Sequence, residues 1–124
     1  MLGTNSLVAF VATNDMARAK DFYEGKLGLK FVSADQFAVV MDSNGVMLRI
    51  TNFPGHKPLP FTVLGWSVPD IHAKAAEMVK AGIQFQKYSF LEQDELGIWT
   101  APGGAAKVAW FLDPDGNVLS ISAH

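Results

Sequence analysis

The stretch WFLDPDGNVLSIS places Asp113, Asp115 and Gly116 within four residues of one another. Carboxylates ahead of a glycine suggest a calcium loop, which needs oxygen donors at loop positions 1, 3 and 5, glycine at 6 and glutamate at 12. With Gly116 at position 6, Asp113 and Asp115 fit positions 3 and 5, but Phe111 and Ser122 fall at 1 and 12 and cannot ligate there. Pro114 pre-sets a turn and Gly116 tolerates positive φ, so the segment is read as a hairpin turn. Other side chains with chemical potential are scattered. Glu92, Asp94 and Glu95 form an acidic run, either a solvated loop or the source of a catalytic carboxylate. His56 follows Phe-Pro-Gly, either as a loop histidine or as a substrate contact; His72 opens a helix and His124 is the last residue. No nucleophile and base stand at a readable spacing, and there is no glycine-rich phosphate loop and no HExxH.

Whatever positions these residues must fit one domain of 124 residues, 49% apolar and 18% charged. A net charge of −2 without a basic run argues against nucleic acid or an anionic membrane as partner. No cysteine is present, which removes disulfides and Cys-based zinc sites and agrees with a reducing compartment. The opening MLGTNSLVAF has no basic segment followed by a long apolar one, and no window is long and apolar enough to span a membrane. The expected location is the cytoplasm.

The chain repeats itself. LVAFVATNDMARAKDFYEGKLGLKFV and TVLGWSVPDIHAKAAEMVKAGIQFQK both read strand, cap, helix, glycine, strand, aligning Asp15 with Asp70 and Gly28 with Gly82. Asn14 or Asp15 caps a first helix with Met16, Ala19, Phe22, Tyr23 and Leu27 inward; Asp70 caps a second with Ile71, Ala75, Met78 and Val79 inward. Each helix is followed by a hairpin, around Ser43-Asn44-Gly45 and around Asp113–Gly116, which aligns Arg49 with Ser120. The second copy carries an insertion in YSFLEQDELGIWTAPGGAA. The expected class is α+β, two βαβββ modules at about 5–52 and 61–124, with a proline-rich linker at about 53–60.

A doubled βαβββ unit ending in FLDPDGNVLSI resembles the vicinal oxygen chelate superfamily of glyoxalases, bleomycin resistance proteins and extradiol dioxygenases. VLGWSVPDI and DELGIWTAPGGAAKVAW are similar to a bacterial glyoxalase-like group of unsettled function. The resemblance implies two sheets forming a cup, with helices on the outer face. It also implies that the positions which hold a divalent metal in metal-dependent members are Val8, Arg49, Val63 and Ser120 here. Two valines, a guanidinium and a lone hydroxyl do not make a metal site, so no cofactor is predicted and a divalent metal is disfavoured.

Strand alternation from those positions assigns the faces. Leu7, Ala9, Val11, Leu64, Trp66 and Val68 are expected beneath the helices, with Leu48, Ile50, Ala109, Phe111, Leu119 and Ile121 in the core. Val8, Phe10, Ala12, Met47, Arg49, Val63, Gly65, Ser67, Val108, Trp110, Val118 and Ser120 then face the cup. Phe10, Arg49, Val63, Trp99, Trp110 and Ser120 are the candidate ligand contacts. Phe10 and Trp110 either touch a ligand or fill the cup or a dimer interface, and Trp99 on the inserted loop is either a lid or a packing anchor. Arg49 needs an anion, supplied by Glu92, Asp94 or Glu95 or by a ligand carboxylate or phosphate. The resulting expectation is a metal-independent, homodimeric protein that sequesters a small apolar or aromatic molecule. The alternative is a glyoxalase- or dioxygenase-type enzyme with a non-standard or absent metal site.

Overall fold

The computed structural model describes residues 1–124, which divide into two units, Met1–Lys57 and Pro58–His124. The first contains strand β1 (Val8–Thr13), helix α1 (Met16–Lys20) running into a π-helical segment (Asp21–Lys26), and strands β2 (Lys30–Ala34), β3 (Ala38–Ser43) and β4 (Val46–Asn52). The second contains β5 (Thr62–Ser67), α2 (Ile71–Lys80), β6 (Trp99–Thr100), β7 (Lys107–Leu112) and β8 (Val118–Ala123). Each unit forms a four-stranded mixed sheet, in the orders β1-β4-β3-β2 and β5-β8-β7-β6. Its first strand is parallel to its last, and its last two strands form an antiparallel hairpin. This is an α+β fold of two βαβββ modules.

The repeat has one local cause at each joint. Asp15 accepts a hydrogen bond from the Arg18 amide at 3.1 Å, and Asp70 accepts one from the Ala73 amide at 3.1 Å; each satisfies a helix-start donor that would otherwise lack a partner. Both helical segments end at a left-handed glycine, Gly28 (φ 75°) and Gly82 (φ 94°). In the first hairpin Asn44 and Gly45 have φ of 49° and 87°, the paired positive values that close a two-residue turn between Ser43 and Val46.

Under the helices lies the expected core: Leu48, Ile50, Ala109, Phe111, Leu119 and Ile121 are all buried. Several expectations need correction. Leu7 is 79% exposed, because it precedes β1 and has no sheet partner to hold it under the helix. Val79 is 47% exposed, since it stands about 80° around the helix from Ile71, at the margin of the stripe. The first helix is not regular. Beyond Lys20 it widens, with the Leu27 amide donating to the Phe22 carbonyl at 3.0 Å, and the neighbours Phe22 and Tyr23 are both buried in an edge-to-face contact. The strand expected after Gly82 is reduced to a bridge between Phe85 and Phe111, extended by the Gln86 amide donating to the Trp110 carbonyl. The edge of β7 is shared along its length, with Phe85–Gln86 at one end and β6 at the other.

Candidate functional site

Register decides which candidate residues meet within each unit. In the first, Phe10 of β1 pairs with Arg49 of β4, and Arg49 pairs in turn with Val40 of β3. Phe10 is 61% exposed on the edge strand, whereas Arg49 is half-buried. The guanidinium forms no ion pair or hydrogen bond within 4 Å. Its field reaches Asp35, whose carboxyl lies below the ordinary carboxylate range. The main causes there are hydrogen bonds from the Phe37 and Ala38 amides at 2.8 and 3.0 Å, with the Arg49 charge adding to them.

Of the acidic residues expected as partners for Arg49, which are Glu92, Asp94 and Glu95, Asp94 is committed elsewhere. Asp94 Oδ1 accepts from the Leu96 and Ile98 amides, both at 2.9 Å, and Oδ2 lies 3.4 Å from His72 Nε2. The same residue's carbonyl accepts from Lys87 Nζ. Asp94 is the organiser of its own loop.

In the second unit Gly65 of β5 pairs with Ser120 of β8, and Ser120 pairs with Trp110 of β7. Ser120 is 8% exposed, more enclosed than a cup-facing ligand contact was expected to be, and Val118 is buried as well. The space beside Gly65 explains it: a methyl group built on that residue would stand 2.6 Å from Ser120 Oγ, so the hydroxyl occupies room that only glycine leaves. Val63 is displaced by a bulge between Thr62 and Leu64. Thr62, not Val63, pairs with Val118, the register position that Met47 and Val8 share in the first unit.

Trp99 is not on an irregular loop. It lies in β6, paired with Val108, and its ring is 6.0 Å from that of Trp110. Trp110 in turn meets Tyr88 edge-to-face at 5.7 Å, and Tyr88 lies 5.6 Å from Phe90. The four rings form a continuous chain whose two ends, Phe90 and Trp99, line an open cleft of about 720 Å³ together with Glu92, Gln93 and Asp94. Sequence reasoning passed over Tyr88, Phe90 and Gln93. The available signal was the i, i+2 spacing of Tyr88 and Phe90, which puts two rings on one side of an extended segment.

Gln93 holds this segment in place. Its Oε1 accepts from the Tyr88 amide at 2.7 Å, and its Nε2 donates to the carbonyls of Gln86 and Gly97 at 2.9 and 2.8 Å. Gly97 has φ 92°, and any Cβ there would fall 2.9 Å from that of Phe85, so the loop closes against Phe85 only with glycine at 97.

His56 is a half-buried loop residue. Its ring packs edge-on to Phe53 at 6.4 Å, its amide donates to the Phe53 carbonyl, and its carbonyl accepts from Asn14 Nδ2. In the DPDG segment the Asp113 carboxylate accepts from the Asp115 and Asn117 amides and from Asn117 Nδ2, at 2.8–2.9 Å. Both its oxygens are used to build the turn. Nowhere do three His, Asp or Glu side chains converge. No helix is long and apolar enough to cross a membrane.

A family model described as Glyoxalase/Bleomycin resistance protein/Dioxygenase superfamily matches residues 5–121. Among solved structures, a superfamily member from Sphaerobacter thermophilus DSM 20745 superposes with a TM-score of 0.75 at 22% identity, covering 100% of both chains. TnmS3, an antibiotic binding protein from Streptomyces sp. CB03234, gives 0.74 at 22% identity over 99% of this chain and 98% of its own. A glyoxalase/bleomycin resistance protein/dioxygenase from Alicyclobacillus acidocaldarius gives 0.70 at 18%, over 98% and 92%. No curated protein sequence matches significantly. At these identities the structural likeness establishes the fold.

Proposed function

The chain belongs to the glyoxalase/bleomycin resistance protein/dioxygenase superfamily, and from that premise we propose that it is a metal-independent protein that holds a small apolar or aromatic molecule. The observation that carries this reading is the chain of four rings, Phe90–Tyr88–Trp110–Trp99, whose ends open on a cleft. Phe90 is 80% exposed, and an aromatic side chain so placed loses water contact when a planar ligand stacks on it. Each such ring contact contributes about 0.5–1.5 kcal/mol beyond area burial. In the first unit Phe10 and the unpaired Arg49 offer an exposed ring and a cation to the same class of ligand.

The donor chemistry supports function without a metal. At the positions where metal-dependent relatives place ligands, Val8 has no donor atom, Arg49 is cationic, Ser120 is enclosed against Gly65, and the bulge offers Val63 or Thr62. The Streptomyces neighbour binds an antibiotic, which supports sequestration as the mode of action in this chain too. The proposed protein is a cytoplasmic homodimer. The absence of cysteine supports the compartment, and the exposed Leu7 and Val8, at the start of edge strand β1, offer apolar surface to a second copy.

The test is titration of tryptophan fluorescence with a panel of planar aromatic compounds, alongside metal content after purification without chelator. Saturable quenching, weakened about tenfold or more by Trp99→Ala, is expected. A flat response across the panel, or one divalent ion per chain lost together with an activity, would overturn the reading.

A further inference from the structure

The cleft within the inserted segment has a sign. Besides Phe90 and Trp99 it is lined by two carboxylates, Glu92 and Asp94, and by no lysine, arginine or histidine. Asp94 is tied to backbone amides and to His72, but Glu92 is exposed and forms no hydrogen bond or ion pair. The two aromatic walls add to this polarity, since the face of each ring carries the negative lobe of its quadrupole. A neutral planar molecule gains only stacking there, whereas a planar cation also gains attraction to the ring faces and to the Glu92 carboxylate. A planar anion would meet repulsion from every charged group in the lining.

We infer that the ligand of this cleft is a planar organic cation, an N-alkylated or protonated heteroaromatic, preferred over its neutral and anionic isosteres. This rests on the reading of the ring chain as a ligand-binding surface. Arg49 is not among the residues that line this cleft, whose two charged side chains are both carboxylates.

The experiment compares N-methylquinolinium, quinoline and 2-naphthoate at pH 8 and low salt, by calorimetry and tryptophan quenching. The cation should bind about tenfold tighter than quinoline, the fold-change of a partly desolvated cation–π contact, with 2-naphthoate weakest. Glu92→Gln should narrow the cation-to-neutral ratio about threefold, and added salt should narrow it likewise. Phe90→Ala should weaken cation and neutral compound together. If quinoline binds as tightly as the cation and both respond to Phe90→Ala, the ligand-binding reading stands and the preference for a cation is overturned. If none of the three binds, both fall. A cation preference that is unchanged by Glu92→Gln and by salt would also overturn the assignment of Glu92.

Discussion

Where Phe10 and Arg49 pair in the first unit, Gly65 and Ser120 pair in the second, and the next strand carries Val40 in one and Trp110 in the other. Around these rows the scaffold repeats closely: an aspartate cap, a left-handed glycine, a parallel strand pair and a closing hairpin. The parts that repeat are those whose geometry backbone hydrogen bonding demands. The parts that diverge project from the strands, where the ladder places no demand on residue type. Side-chain chemistry therefore differs between two units that share one scaffold, and only the second carries a ring chain, three of whose residues lie in its inserted segment.

The sharpest way to break this comparison lies in the cores. Phe111 and Met41 hold the same register position, paired with Leu119 and Leu48, and both are fully buried. Phe111 also touches the rings of Phe85 and Trp66. Phe111→Ala should cost about 3–5 kcal/mol and more than Met41→Ala, since it also removes two ring contacts, measured by denaturant unfolding. If Phe111→Ala cost less than Met41→Ala, the aromatic anchoring assigned to the second unit would be wrong.

The two hairpins offer the next contrast. Asp113 is buried and accepts three hydrogen bonds, whereas Asp42 accepts one, from the Gly45 amide at 3.4 Å. Asp113→Ala should destabilise by about 2–3 kcal/mol by stranding the Asn117 amide groups, and Asp42→Ala by no more than about 0.5 kcal/mol. Equal losses would mean that the longer turn does not depend on its carboxylate.

Gln93→Ala probes the insertion, which has no counterpart in the first unit. A loss of about 1–2 kcal/mol is expected. Amide exchange should speed up at Tyr88 and Ile98 but not in β3 or β4. Uniform acceleration through both units would show that the loop is not a local structure.

The aspartate caps should behave alike. Asp15→Ala and Asp70→Ala should each cost about 1 kcal/mol, and a difference of more than twofold in thermal denaturation would break their equivalence.

The smallest effect is confined to the first unit. Two amide hydrogen bonds and the Arg49 charge hold the Asp35 carboxyl below its usual value, so its contribution to stability is present above the unfolded-state pKa and is lost as pH falls through the folded value. Carboxyl titration by NMR should show Arg49→Ala moving Asp35 upward only slightly, because the backbone hydrogen bonds dominate. A shift as large as the whole depression would reverse that order.

Much of this architecture was legible from single residues. Asp15 and Asp70 marked helix starts, Asn44-Gly45 allowed one kind of turn, and the alternation in β4, β7 and β8 assigned the core side correctly at Leu48, Ile50, Phe111, Leu119 and Ile121. The candidate site was less legible. Trp110 and Trp99 were singled out, but Tyr88, Phe90 and Gln93 were not, because an insertion has no periodicity to read and its geometry rests on hydrogen bonds between residues far from any repeat. The register shift at Val63 was not legible because a bulge adds one residue to a strand without changing its composition.

The amino-acid sequence by itself determined the doubled module, its caps, its turns and its family, since these depend on local backbone preferences and the period of apolar residues. The tertiary structure alone decided that Asp94 serves its own loop, that Ser120 nests against Gly65, and that four aromatic residues drawn from Tyr88 to Trp110 form one chain. Those outcomes depend on which strand edge a segment lies against and in which register, and that is set by packing across the sheet.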